Sequence, residues 1–253
     1  MSAARPVAVV TGAGRRVGRA VAVELARYGF DLALTYHRSE AEASKTVSLA
    51  IAAAEDSATL IDCQRFRVDL NVPDEVEQLG RTLRALPRID AVVHNASSYG
   101  SSPFGSITAQ HALDHYRVNA LAPLLLTQAL AEQLSRSPLP GGGAVVCFSD
   151  IHVLGRPLKN FAAYAMAKAA MTQMVHSLAR DMAPTVRVNA IAPGVIAWPD
   201  DTDPDVVAAY EGRIPLGRPG TPQDAAAVVR WLILEAVYIT GEVLRLDGGR
   251  WLA

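Results

Sequence analysis

The sequence predicts a doubly wound α/β domain, a Rossmann-like parallel sheet of about seven strands with helices on both faces, and two features of its 253 residues carry that prediction. Short runs rich in Val, Ile and Leu alternate with longer segments of helical period, the order that a parallel sheet with crossover helices requires. Several of these runs are apolar at consecutive positions, as strands covered on both faces must be.

In chain order, the first strand is expected at 7–10 and ends in Thr11-Gly12-Ala13-Gly14-Arg15-Arg16-Val17-Gly18, which opens a helix at 17–28. Glycines in such a turn let the backbone approach a ligand closely, and the first N–H groups of the helix face a diphosphate. Gly12, Arg15, Arg16, Val17 and Gly18 are therefore candidates for holding a dinucleotide. The second strand, 32–36, ends in Tyr36-His37-Arg38-Ser39 before a helix at 40–55. A site for NAD usually places Asp or Glu here to hold the ribose 2′-hydroxyl. Arg38 and Ser39 suit a 2′-phosphate instead, with Arg15 as a second cation, so NADPH is the expected cofactor. The third strand, 63–68, brings Asp69 and Leu70 towards the adenine and leads into a helix at 74–86. The fourth, 89–94, ends in Asn95-Ala96 on the inner side of the cofactor, ahead of a helix at 113–135.

A Pro/Gly turn at 138–143 introduces the fifth strand, 143–148, which ends in Phe148-Ser149-Asp150 before a helix at 161–183. The sixth strand, 186–191, is followed by a proline-rich stretch with an aspartate cluster, 198–222. Ligands of open α/β sheets sit at the carboxyl ends of the strands, so this excursion is expected to form a substrate lid. Thr221 as N-cap with Pro222 behind it starts the last helix, 223–235, and the seventh strand is 243–246. No linker divides the chain, which reads as one NADP-binding reductase domain over 1–253.

The helix at 161–183 carries Tyr164 and Lys168, four residues apart and so on one face. A free phenol titrates near pH 10, too high for easy proton exchange at neutral pH. A neighbouring ammonium, with the positive charge of an oxidised nicotinamide, favours the phenolate and lowers that value. Hydride transfer to a C=O or C=N carbon needs a matching proton donor, and Tyr164 is placed to supply it.

Composition narrows the class further. Half of the residues are hydrophobic and the formal net charge is −1, which excludes disorder and offers no basic stripe for nucleic acid. The longest apolar runs, such as 120–126, are far too short to span a bilayer, and no signal-peptide core precedes the first strand. Cys63 and Cys147 form no CxxC pair, so they read as small hydrophobic residues of a reducing compartment, with no metal site. The expected location is the cytoplasm.

The turn at Thr11, Asn95-Ala96, Asn119, Tyr164 with Lys168, Val188-Asn189-Ala190-Ile191-Ala192-Pro193-Gly194 and the terminal Leu246-Asp247-Gly248-Gly249 together resemble the short-chain dehydrogenase/reductase family over essentially the whole chain. The resemblance implies a seven-stranded sheet, a Tyr/Lys/Asn catalytic group, Pro193 and Gly194 beside the cofactor, and a homotetramer. It gives Asn119 the water that feeds a proton relay through Lys168. Three departures resemble pteridine reductases and bacterial dihydromonapterin reductases: Arg16 at a usual glycine, Ser97-Ser98-Tyr99 after Asn95-Ala96, and Asp150 where most relatives use serine. By that likeness Arg16 and Ser97 touch the pterin and the cofactor phosphates, Tyr99 stacks on the pterin ring, Asp150 assists protonation and Trp198 closes over the substrate. Asp150 lies fourteen residues before Tyr164, one more than the family spacing, so either Asp150 or Ser149 occupies the catalytic position. The resulting expectation is reduction of a C=N bond in a reduced pterin or dihydrofolate. The alternatives are a reductase of a ketone or 3-oxoacyl thioester, and a non-catalytic NADP-sensing protein.

Overall fold

The computed structural model describes residues 5–198 and 202–253; Pro199, Asp200 and Asp201 of the expected lid lie outside the described residues. Seven strands, β1 (Val7–Val10), β2 (Asp31–Tyr36), β3 (Cys63–Arg67), β4 (Ala91–His94), β5 (Gly143–Phe148), β6 (Val186–Pro193) and β7 (Val243–Leu246), form one sheet. Its order is β3-β2-β1-β4-β5-β6-β7, and every neighbouring pair is parallel. The helices are α1 (Arg16–Arg27), α2 (Glu40–Glu55), α3 (Pro73–Leu83), α4 (Ala109–Tyr116), α5 (Ala122–Ser135), α6 (Ala162–Asp181), α7 (Pro204–Glu211) and α8 (Pro222–Leu234). This is the single-domain α/β architecture that the alternating pattern predicts.

Strand side chains alternate between two cores. Ala8, Val10, Leu32 and Leu34 pack under α1, α2 and α8, while Val7, Val9, Ala33 and Val92 pack under α3, α5 and α6. Covered on both faces, β1, β4 and β5 are buried along their whole length. The two edge strands break the apolar pattern, β3 with Gln64, Arg65 and Arg67 exposed and β7 with Arg245 exposed, which discourages pairing with another sheet. No helix of the described residues is long and apolar enough to cross a membrane.

Two elements differ from expectation. The helix expected at 113–135 begins at Ala109, because the Thr108 side chain caps it by accepting from the His111 N–H, and a π-helical turn at Arg117–Leu121 interrupts it. Within the stretch expected to form a lid, Asp203 caps α7 and Pro204 opens it, the same signal that Thr221 and Pro222 give at α8. At α8 the cap is reciprocal: Thr221 accepts from the Asp224 N–H and Asp224 accepts from the Thr221 N–H.

One buried cation finishes α8. Arg187 on β6 is only 5% exposed, and its guanidinium donates to the carbonyls of Leu232 (2.5 Å), Ile233 (2.9 Å) and Ala236 (3.1 Å) and, through Nε, of Gly141 (3.1 Å). These carbonyls have no helical partner, and a cation there also meets the negative end of the helix dipole. Arg187→Ala leaves several buried acceptors unpaired, so it should lower unfolding free energy by about 3 kcal/mol, read from urea denaturation. An unchanged midpoint would show that water replaces the guanidinium.

Candidate active site

β1 and β4 are neighbours in the sheet, yet their following helices lie on opposite faces, which opens a crevice at the carboxyl ends. A polar knot closes its floor. Thr11 Oγ1 accepts from the N–H groups of Asn95 (3.0 Å) and Ala96 (3.1 Å), and Asn95 Nδ2 donates to the carbonyls of Thr11 and Gly12 at 3.0 Å each. Gly12 has φ +65°, and a Cβ on Gly18 would stand 2.4 Å from the Gly12 oxygen, so neither position tolerates a side chain. Arg19 and Thr46, which the sequence reading passed over, hold the turn from α1 and α2. Thr46 Oγ1 donates to the Ala13 carbonyl at 3.0 Å, and Arg19 reaches the Gly14 carbonyl at 2.5 Å and Glu42 at 2.6 Å. The Arg19 guanidinium keeps the Glu42 carboxyl below the usual carboxylate range.

Two clefts flank this knot and share Ser97. One, of about 250 Å³, is lined by Gly12, His37, Asp69, Leu70 and Ala96 among others. His37 Nε2 lies 3.4 Å from Asp69 Oδ2 there. Arg38 is exposed, Ser39 precedes α2 without using its side chain as a cap, and Arg15 reaches outward, 3.9 Å from Glu42. The other cleft, of about 490 Å³, is lined by Arg16, Val17, Tyr99, Asp150, Pro193 and Gly194 together with the residues described below. The two clefts lie at the carboxyl ends of the strands and meet at Ser97.

In the larger cleft Tyr164 Oη donates to Asp150 Oδ2 at 2.7 Å. Asp150 Oδ1 accepts from the His152 N–H at 2.8 Å and so caps a 3₁₀ turn, Ile151–Leu154, that ends at Gly155 with φ +125°. Ser149 is buried and engaged with Thr172 Oγ1 at 2.7 Å, so of the two candidates Asp150 is the one that meets Tyr164. Lys168 is buried with Nζ donating to the Phe148 carbonyl at 2.6 Å. Burial, reinforced by the Asp150 charge, pushes the Tyr164 phenol far up, while burial pulls the Lys168 ammonium down to about 8.

Three of the expected site residues are held by contacts of their own. The Asn119 Oδ1 accepts from Ser97 Oγ (2.9 Å) and the Ser98 N–H (3.0 Å), and Nδ2 donates to the Ser98 carbonyl (2.8 Å). From the π-helical turn it clamps the loop that carries Tyr99. Tyr99 stacks on Phe161, with ring centroids 5.0 Å apart, and meets Tyr164 edge-on at 5.0 Å; sequence reading had not assigned Phe161 a place in the site. Arg16, with φ +49°, donates to the carbonyls of Ile196 and Ala197. This left-handed backbone is one that glycine adopts freely and an L side chain only under strain. Trp198 stands in the wall of the larger cleft, with Nε1 donating to Glu211 at 2.8 Å.

Comparison with known proteins places this geometry in context. Residues 12–250 match a family model described as enoyl-(acyl carrier protein) reductase. The uncharacterised oxidoreductase YohF of Escherichia coli K12 is 32% identical over 252 residues, covering 98% of this chain and 96% of that protein. Pteridine reductase 1 of Leishmania tarentolae is 30% identical over 279 residues, covering 96% of each. The crystal structure of acetoin dehydrogenase YohF from Salmonella typhimurium superposes with a TM-score of 0.86 at 30% identity, covering 99% of this chain and 97% of that one.

The Asp150 turn is fastened from behind by Trp251. Its ring lies between the guanidinium groups of Arg156 (5.8 Å) and Arg245 (5.6 Å), and a Cβ on Gly155 would come within 2.8 Å of it. Trp251→Ala removes both cation–π contacts and the wall behind Gly155. Amide exchange over 149–158 should then quicken about tenfold, the equivalent of ~1.4 kcal/mol, while 7–36 keeps its protection. Equal loosening in both segments would mean that Trp251 supports the fold as a whole.

Proposed function

The chain belongs to the short-chain dehydrogenase/reductase family, and on that premise we propose that it is an NADPH-dependent reductase of a small carbonyl compound, a ketone or an oxoacyl thioester. The family membership carries the coarser statement, an NAD(P)H-dependent oxidoreductase. The observation that carries the reaction is Tyr164 in the wall of the larger cleft, one helical turn from Lys168. A carbonyl substrate is favoured by the acetoin dehydrogenase likeness, whereas one relative at 30% identity is named for a pterin. The carbonyl compound is therefore placed ahead of the pterin that the sequence features suggest.

A reduced nicotinamide cofactor held by residues of the two clefts, Arg16, Val17, Ser97, Pro193 and Gly194 among them, would supply the hydride. Tyr164 is the proton donor to the oxygen of the substrate, and the buried Lys168 ammonium lowers the cost of the charge left on the phenol. Asp150 holds the phenol in one orientation from the side opposite the α6 backbone. NADPH is preferred on the strength of Arg38 and Ser39 at the end of β2, where the first carboxylate, Glu40, is directed to Arg65 at 3.8 Å. Charge-assisted hydrogen bonds are worth about 1.5–3 kcal/mol, so Arg38→Ala should weaken NADPH binding roughly ten- to a hundredfold and leave NADH nearly unaffected. Equal losses with both cofactors would make Arg38 structural.

A second reading, reduction of a C=N bond in a reduced pterin, rests on the Asp150–Tyr164 hydrogen bond and the Tyr99–Phe161 stack. A carboxyl beside the phenol suits protonation of a ring nitrogen, and stacked aromatic rings suit a flat heterocycle. Assays with acetoacetyl thioester, acetoin, dihydrobiopterin and dihydrofolate separate the two readings: turnover of carbonyl compounds alone supports the first, and of pterins alone the second. Tyr164→Phe should cost about 10² to 10⁴ in rate on the preferred substrate while NADPH still binds. Retention of most activity would remove Tyr164 from the chemistry.

A further inference from the structure

Helix α7 brings to the larger cleft a polar group that the sequence reading did not single out. Tyr210 lines that cleft, and its hydroxyl lies against Gly194, where a built Cβ would stand 3.6 Å from Oη. The hydroxyl is buried and makes no hydrogen bond among the described residues, although buried hydroxyls in folded proteins are nearly always paired. The Val195 N–H approaches Oη as a weak donor short of full hydrogen-bonding geometry, so the hydrogen of the hydroxyl itself has no acceptor.

The ring is held firmly. Trp198 meets it edge-on with centroids 5.4 Å apart, and the buried Arg250 guanidinium lies 4.9 Å from its centroid. Trp198 is fixed in turn by its bond to Glu211, the residue after Tyr210. Packing therefore sets where the hydroxyl stands, and within the protein the hydroxyl has desolvation without compensation. Burial and the Asp150 charge raise the phenol above its ordinary value, so at neutral pH it remains protonated and is a donor. Asp150 acts in the same sense on Tyr99 and Tyr164, which places all three phenols within electrostatic reach of one carboxylate.

We infer that Tyr210 is a substrate-anchoring residue that donates a hydrogen bond to a second polar acceptor of the substrate, an oxygen or ring nitrogen away from the reacting carbon. The inference rests on the reductase reading above and narrows its substrate to compounds with two polar functions: a diketone, a hydroxyketone or a polar heterocycle. A simple ketone leaves the hydroxyl unpaired. A site built to bond a polar group discriminates against analogues that lack it.

Tyr210→Phe removes the hydroxyl and keeps the ring, so Trp198 and Arg250 retain their contact. Steady-state NADPH oxidation is followed with diacetyl, with butanone (read as a competitive inhibitor where turnover is too slow) and with dihydrobiopterin. The variant should raise KM for diacetyl or for dihydrobiopterin about three- to tenfold, with kcat within twofold. Whichever of the two shows the rise identifies the source of the acceptor. The KM or Ki for butanone should not move, and the melting temperature should hold or rise, since an unpaired buried hydroxyl has gone. A lowered melting temperature with equal losses on every compound, or no change on any, overturns the anchor. A wild-type protein inert towards all of these and towards oxoacyl thioesters overturns the reductase reading, and the anchor with it.

Discussion

The meeting of β1 with β4 governs everything built above the sheet. Asn95 follows Thr11 by more than eighty residues, yet its side chain and backbone answer the Thr11 hydroxyl, the Thr11 carbonyl and the Gly12 carbonyl. The turn that opens α1 and the loop that carries Ser97 and Tyr99 are thereby referenced to one point. The missing side chain of Gly18 is part of the same constraint, because a Cβ there would stand 2.5 Å from Asn95 Nδ2. A bulkier residue would displace the amide and with it both halves of the crevice.

From that point the site is assembled by side chains that spend their polar groups on backbone. Asn119 clamps Ser97 and Ser98, Asp150 caps the turn that follows it, Arg16 holds the Ile196 carbonyl and Lys168 reaches the end of β5. Each contact fixes a loop that could otherwise move, and together they leave the Tyr164 phenol facing a cavity with defined walls. The segment after Asp247 contributes to two of those walls at once, through Trp251 behind the Asp150 turn and Arg250 beneath Tyr210.

The fold was legible because buried strands and crossover helices leave a pattern in hydrophobicity, and capping leaves one at Thr221 and Pro222. The Tyr164–Lys168 pair was legible because four-residue spacing on a helix fixes a shared face. What Asn119 holds was not, since its partners lie about twenty residues away on another element and no local pattern records them. The choice between Ser149 and Asp150 depended on the path of the chain through the Ile151–Leu154 turn, where spacing alone misleads. Helix α7 carried a legible Asp203–Pro204 signal, but the surrounding prolines and aspartates obscured it. The Tyr210 hydroxyl is defined by what it lacks, and a missing partner has no sequence signature.

The carboxylate beside Tyr164 alters the proton economy of the site in a way that a serine would not. A serine hydroxyl can donate to a phenolate and so support the anion that remains after the proton leaves. An ionised carboxylate can only accept, and a phenolate against it would place two negative charges within hydrogen-bonding distance. Lys168 opposes that cost from behind, but its ammonium is directed to the Phe148 carbonyl and burial has already drawn its affinity for the proton down to about 8. A phenol held in this way keeps its hydrogen on the carboxylate until an acceptor of the substrate competes for it, so the residue after Ser149 decides how much charge the site must carry when that hydrogen leaves, whichever unsaturated bond receives the hydride.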